Sequence, residues 1–497
     1  ITIEPNPFEV NQSVTITVDI NSNDTNCNSI SNPDSVYMHA GIGDDNSPCG
    51  YSVVGNWGQD DGVGQMSDNG NGTWSITIVP EDYFGLTASQ VTSATSMGMV
   101  FRNEDGTQEL KDQGCSDFFI NVGAFQVELI NPDNTGIILV DYNGSTQILA
   151  QNTNGNANYS LYANGELVDS QNNVNFYNGF QFTNLTENQY CELHINQGES
   201  TIVKKFTILV NNTTIESIPD GLEDGINYNE DTSKATLVLS APYKDFIYVA
   251  GDFNFWSPTS EYAMKKDSTS ERFWIEIEGL ESGEIYTYQY WVSDLSPVDE
   301  SPSLVKTADP FSTMVLSPFD DPWIPETSYP NLPAYPHDFG IEREVTVLKT
   351  GQEPYNWQVE DFDKPKEEDL IIYEVLIRDF DNERTFQNLI DRIDYFKDLN
   401  INAIELMPVM EFEGNESWGY NTAFHMSVDK FYGPEDKLKE FIDLCHQNGI
   451  AVIFDLVMNH VMGRSPMNRM WMNDPDRNGW GEPSEESPYF NLSLIHI

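Results

Sequence analysis

The chain has 497 residues, 39% of them hydrophobic and 12% aromatic, more than one hydrophobic core usually serves, so several domains are expected. Its formal net charge is −55, from 79 acidic against 24 basic side chains, which argues against nucleic acid or an anionic membrane surface as partner. That balance suits a neutral ligand, and no apolar run reaches the length of a membrane span. The acidity fits either a soluble secreted multidomain protein or a protein of saline surroundings. Five cysteines, Cys27, Cys49, Cys115, Cys191 and Cys445, are too sparse for a disulfide framework and lack metal spacing. Cys27 and Cys49 share a loop-rich stretch, and their pairing stays open. The chain opens at Ile1 without a charged-then-apolar leader, consistent with a removed signal peptide or a start inside a longer reading frame.

Residues 1 to 215 alternate short β-type runs with Asn-, Gly- and Asp-rich turns: "SVTITVDI", "WSITIVP", "MGMVFRN", "GIILVDY" and "TIVKKFTILV". Such runs predict antiparallel sandwiches. A break near "AFQVELINPDNTG" divides them into modules at 1–124 and 125–215, the second immunoglobulin-like. In the first, Tyr37, His39, Trp57 and Trp74 fall among loops and strand ends. Aromatic rings there serve either the core or a sugar-stacking surface, which makes the module a candidate starch binder. A third β-sandwich, 216–320, contains "IYVAGDFNFWSP" and "FWIEIEGLESGEIYTYQYWV". Residues 321–365 form a Pro-rich connector, in which helices and central strands are disfavoured.

From 366 to 497 the pattern changes. "LIIYEVLI" predicts a strand, and "TFQNLIDRIDYFKDLN" predicts a helix with Phe386, Leu389, Ile390, Ile393 and Phe396 on one face behind Thr385 as N-cap. "NAIELMPV" is a second strand. "GPEDKLKEFIDLCHQNG" is a second helix, started by Pro434, ended by Gly449, and burying Leu438, Phe441, Ile442 and Cys445. "AVIFDLVMNH" is a third strand. Three apolar strands separated by helices predict a parallel α/β sheet with both faces covered.

In parallel α/β folds the ligand sits beyond the carboxyl ends of the strands. The first strand ends in Arg378 and Asp379. The second carries Glu405 and runs into "EFEGNESWGYN". Period-2 alternation puts Asp455, Val457 and Asn459 of the third on one face, with His460 just past its end. With Trp418 and Tyr420 beside them, these groups describe a sugar pocket: rings to stack on and polar groups to hydrogen-bond. The Gly-rich phosphate loop of a nucleotide site is missing after the first strand.

These residues carry a resemblance. "DLVMNH", "INAIELMPVMEF", "SWGYN" and "FYGPEDKLKEFIDLCHQNGIAVIFD" resemble successive segments of the α-amylase superfamily, glycoside hydrolase family 13. "GDFNFW", Met264, "FW" at 273–274, Tyr286, Tyr288 and "ADPF" resemble an isoamylase-type N-terminal module related to carbohydrate-binding module family 48. The first two modules resemble β modules that precede amylases in secreted proteins of Bacteroidetes-type bacteria. The resemblance implies a (β/α)8 TIM barrel of which this chain holds about three βα units, behind three antiparallel β-sandwich modules. It implies an extracellular or cell-surface enzyme acting on α-glucan by a retaining double displacement, a branching or debranching relative of it, or a non-catalytic glycan-binding protein. By position, Tyr420 and His460 are expected to bind the sugar, with Trp418 beside them, and Asp455 to orient a neighbouring arginine as a support. Trp256 is a candidate glucan-stacking residue and Asn459 a candidate calcium ligand.

The nucleophile and the acid/base of that mechanism come from later strands, about 5 Å apart across the glycosidic bond. Asp455 and Glu405 are therefore not promoted to a catalytic pair. The chain is expected to be part of a longer enzyme and inactive alone, and the native status of the closing "LSLIHI" is left open. A barrel needs closure, so isolated 366–497 is predicted to expose a strand edge and apolar helix faces, and to aggregate or stay partly molten. Calorimetry on that segment checks this, and a cooperative thermal transition contradicts it.

Overall fold

The computed structural model describes all residues except 22–28, 45–46, 113–115, 124, 134–135, 154, 199, 338–340, 476, 478 and 491–497. Cys27, and with it the pairing to Cys49, lies outside the described residues, as does the closing "LSLIHI". The chain forms two compact units, 1–210 and 211–497.

In the first unit, alternation makes the strands. Val14, Ile16 and Val18 are buried while Thr15 and Thr17 lie on the opposite face of Val14–Asp19. That strand sits in a four-stranded antiparallel sheet with Thr2–Glu4, Thr73–Ile78 and Ser67–Gly70. A second sheet joins Ser47–Val54, Val36–Asp44, Ser96–Asn103 and Glu109–Leu110, with Phe118–Asn121 also paired to Ser96–Asn103. Their inward side chains, from Phe8 to Val122, form one core. A separate core gathers Phe125 to Val210 between a three-stranded and a five-stranded sheet, with Tyr159 and Tyr177 stacked at 5.4 Å. One pair there departs from the antiparallel expectation. Ile137–Val140 runs parallel to Thr207–Val210. The strands between them supply the long crossover that parallel pairing needs.

The second unit begins with two more sheets, one built on Lys234–Ser240 and Arg272–Glu278, the other on Phe246–Gly251 and Tyr286–Ser293. The second of these sheets also takes Val345–Leu348, fully buried, from within the segment read as a Pro-rich connector. The correction has a simple cause: prolines crowd 322–336, whereas "EREVTVLKT" at 342–350 has none. Met470 and Trp471 enter the core between the sheets, and the Trp471 indole N–H donates to the Pro242 carbonyl at 2.9 Å.

The α/β part holds a three-stranded parallel sheet in chain order, Ile372–Val375, Ala403–Leu406 and Ala451–Phe454. Thr385 caps its helix as expected, in a reciprocal box with Asn388. The helix is interrupted at Arg392, giving Phe386–Asp391 and Ile393–Asp398. Glu435–Gln447 is continuous and buries Leu438, Phe441 and Cys445. The helices cover one sheet face, where Val375, Ile404 and Leu406 meet Phe396 and Phe441. The other face bears Glu374, Glu405 and Ile453 and is not sealed: Ile372 is 46% exposed. Burial on both faces, expected from the apolar runs, therefore fails, because no layer among the described residues packs on that side.

Between these parts lies a buried ionic cluster. Lys430 is 2% exposed, hydrogen-bonded to Glu411, with its Nζ 3.3 Å from Asp321, and Asp429 sits beside it. Burial pushes the Glu411 carboxyl up to about 7 against the pull of Lys430, and burial, then the Glu411 charge, hold Asp429 well above the usual carboxylate range. One cation thus serves three buried acids. Lys430→Met should leave them uncompensated and destabilise the second unit by about 3–5 kcal/mol in urea denaturation. A loss below about 1 kcal/mol contradicts this reading of the cluster.

Candidate functional site

The polar residues at the sheet's carboxyl end are placed by where the strands stop. The Asp455 N–H makes a ladder bond to the Leu406 carbonyl at 2.9 Å. Two residues on, the second strand reaches Pro408, which has no N–H to donate, and the third strand itself ends at Phe454. Asp455 therefore opens a loop. The expected run of Asp455, Val457 and Asn459 along one strand face is corrected: Val457 is buried at 3% and Asn459 exposed.

Opposite stands the hairpin of Met410–Phe412 and Thr422–Val428, whose tip carries "SWGYN". Gly419 lies in the left-handed region at φ 88°, and a Cβ there would stand 2.3 Å from the Pro408 carbonyl, so only glycine fits. Gly419 N–H donates to Ser417 Oγ at 2.9 Å, and the Asn421 amide to the Glu413 carbonyl at 2.7 Å. The tip is thus braced by its own polar groups. From it the Tyr420 hydroxyl donates to Asp455 Oδ2 at 2.5 Å, and His460 Nε2 donates to the Tyr420 carbonyl at 2.6 Å. Farther along, His425 Nε2 donates to the Val457 carbonyl at 2.9 Å, and Arg464 N–H to Glu413 Oε1 at 2.9 Å. With the Met462 N–H donating to the Thr422 carbonyl at 2.9 Å, the loop after the third strand is stitched to the hairpin at five points.

Tyr420, Asp455 and His460 thus meet, with Tyr420 39% and Trp418 59% exposed on the same tip. Glu405 lies behind them on the sheet, paired in register with Glu374, a carboxylate the apolar-run reading passed over. A glutamate aligned with another on the neighbouring strand is the signal that would have marked it. The hydrogen bond to Asp455, then burial, then the charges of Asp455, Glu374 and Glu405 push the Tyr420 phenol up to about 12. Arg378 and Asp379 are elsewhere occupied: they pair with each other at 2.8 Å in a helical turn after the first strand.

Trp256 does not join the site. Its ring is 7% exposed in a cluster with Leu316, Tyr335 and Val347, and its N–H donates to Asp252 at 3.0 Å, so no face is open for stacking. The neighbouring Phe255 is 78% exposed in its stead. Among the described residues no three His, Cys, Asp or Glu side chains converge on a point where a metal ion would sit. No step is assigned to a calcium ion at Asn459. Cys191 and Cys445 are buried, and burial pushes both thiols up to about 12, out of reach of reactive chemistry.

Residues 377–486 match the family "Alpha amylase, catalytic domain", and residues 1–110 match a domain of unknown function, DUF8578. A malto-oligosyltrehalose trehalohydrolase of Saccharolobus solfataricus is 39% identical over 107 residues, 22% of this chain and 19% of that protein. A 1,4-alpha-glucan branching enzyme of Chlamydia caviae is 28% identical over 233 residues, 45% of this chain and 28% of that protein. The solved pullulanase SAP of Group B Streptococcus is 17% identical, with a TM-score of 0.36, over 68% of this chain and 46% of that one. The chain spans less than a third of the length of each of these two curated relatives. It carries part of an alpha-amylase catalytic domain behind many antiparallel β-sheets.

Chemically, the site offers an aromatic face, a carboxylate and an imidazole to a neutral polyhydroxy ligand. Its one strand-end aspartate is engaged by a phenol that stays protonated until pH passes about 12, so their bond holds across the physiological range. An alkaline difference titration of the chain against Tyr420→Phe should show a tyrosinate midpoint near 12. A midpoint at the ordinary value near 10 would mean that the phenol and Asp455 are apart.

Proposed function

We propose that the second unit carries the sugar-holding side of an α-glucan glycoside hydrolase. The observation that carries this reading is the meeting of Tyr420, Asp455 and His460 at the ends of successive parallel strands, inside the segment that matches the alpha-amylase catalytic domain. In this reading the Tyr420 ring lies against the glucose at the cleavage point, with Trp418 at its margin, and His460 hydrogen-bonds that sugar. Asp455 is a positioning residue, held by the phenol, that orients an arginine beside the nucleophile. The retaining mechanism needs two further carboxylates about 5 Å apart. We assign them to strands that would pack over the open sheet face bearing Glu374, Glu405 and Ile372, which makes the chain part of a longer enzyme. Extracellular location belongs to the same proposal, supported by the acidic, Asn- and Ser-rich composition.

A branching or debranching activity is the second reading. It is favoured by the branching-enzyme likeness, which covers 45% of this chain, more than double the 22% covered by the trehalohydrolase. The protein encoded by the whole gene should release reducing ends from soluble starch, and Asp455→Asn should lower kcat/KM about 100-fold through misplacement of the reacting groups. Formation of new branch points without net reducing ends, or release of reducing ends from branched but not from linear α-glucan, selects the second reading. Neither activity on any α-glucan overturns both.

A further inference from the structure

The first unit carries an exposed aromatic surface, far in sequence from the strand-end site. The outer face of the sheet around Val36–Asp44 and Ser96–Asn103 has glycine at its centre, with the Cys49 side chain packed over it. One row across four strands reads Val53, Gly41, Gly98 and Phe119. A Cβ on Gly41 would stand 2.5 Å from Cys49 Cβ, and one on Gly98 would stand 2.8 Å from both Cys49 Sγ and the Phe119 ring, so these two side chains pack closely over the glycines. In the next row is His39, and Trp57 meets it edge-on at 5.7 Å. Val53, Phe119 and Trp57 are 55%, 53% and 45% exposed. The row spans two strand spacings from Gly41 to Phe119, about 10 Å.

The Trp57 loop is fastened from beneath. Arg102, fully buried, donates to the Asn56 and Gln59 carbonyls at 2.6 and 2.8 Å and to the Asn103 carbonyl at 2.9 Å. Its guanidinium lies 4.4 Å over the Tyr37 ring, and Tyr37 donates its hydroxyl proton to Asp60. Burying an arginine costs free energy that these bonds offset, and the result is an exposed tryptophan held in one place. The rim is acidic: Asp60 and Asp61 are exposed and Asp117 is half-buried, and Asn56 donates to Asp61 at 2.6 Å. The one cation in the cluster, Arg102, is taken up by carbonyls. Such a surface repels anions, offers flat rings to C–H faces, and accepts protons from hydroxyl groups.

We infer that Trp57 and Phe119 form a platform for a neutral polysaccharide, an α-glucan, on the outer face of the first sheet. The choice of α-glucan rests on the proposed function; the platform's neutrality and flatness do not. The test is native electrophoresis of the full chain through gels containing soluble starch. Starch should retard the wild-type chain. Trp57→Ala should weaken binding about three- to tenfold, as loss of one stacked ring implies. Phe119→Ala, on another strand, should give a similar loss and guards against misfolding of the loop variant. Retardation that ignores both Trp57 and Phe119, or none at all, overturns the platform. If Trp57-dependent retardation persists while the whole-gene protein is inert on α-glucan, the catalytic reading fails and the platform stands.

Discussion

The hydrogen bond from the Tyr420 phenol to Asp455 decides how the end of the parallel sheet is organised. Asp455 sits where an apolar strand gives out, and an unpaired carboxylate there would cost free energy on leaving water. A phenol on the opposite hairpin satisfies it, and the same hairpin residue receives His460 on its carbonyl. Two segments that touch nowhere in sequence are thereby closed into one surface, with aromatic faces outermost. The charge that would make Asp455 reactive is instead directed at a donor. That engagement supports the positioning role proposed for Asp455 from the family resemblance.

The second unit is held by the same principle at a larger scale. Lys430 neutralises acids from three stretches of chain, Asp321, Glu411 and Asp429, where water cannot. Trp471, from beyond the parallel sheet, completes the core between two β-sheets that begin more than two hundred residues earlier. Modules that look separable by composition thus share buried side chains. The first unit differs, with two cores built wholly from its own strands.

Much of this was legible because local pattern and global fold agree. The alternation of "SVTITVDI", the cap at Thr385, the helix face of Leu438, Phe441 and Cys445, and the gathering of Tyr420, Asp455 and His460 all follow from spacing or from family resemblance. What escaped depended on distant partners. Apolar runs do not say whether a second layer covers them, so the exposed face of Ile372 and Glu374 was read as buried. Composition marked the connector as irregular although "VTVL" is a sheet strand. A tryptophan in a motif looks the same whether its ring stacks on a ligand or on Leu316, and Trp256 does the latter. The pairing of Lys430 with acids far apart in sequence carries no local signature at all.

The arrangement stands or falls on whether Tyr420 and Asp455 act together. A double-mutant cycle on the chain, Tyr420→Phe and Asp455→Ala singly and combined, followed by urea denaturation, measures this directly. The account predicts a coupling of about 1 kcal/mol. Strict additivity, within about 0.3 kcal/mol, would mean that the two side chains do not meet and that the strand-end site is not assembled.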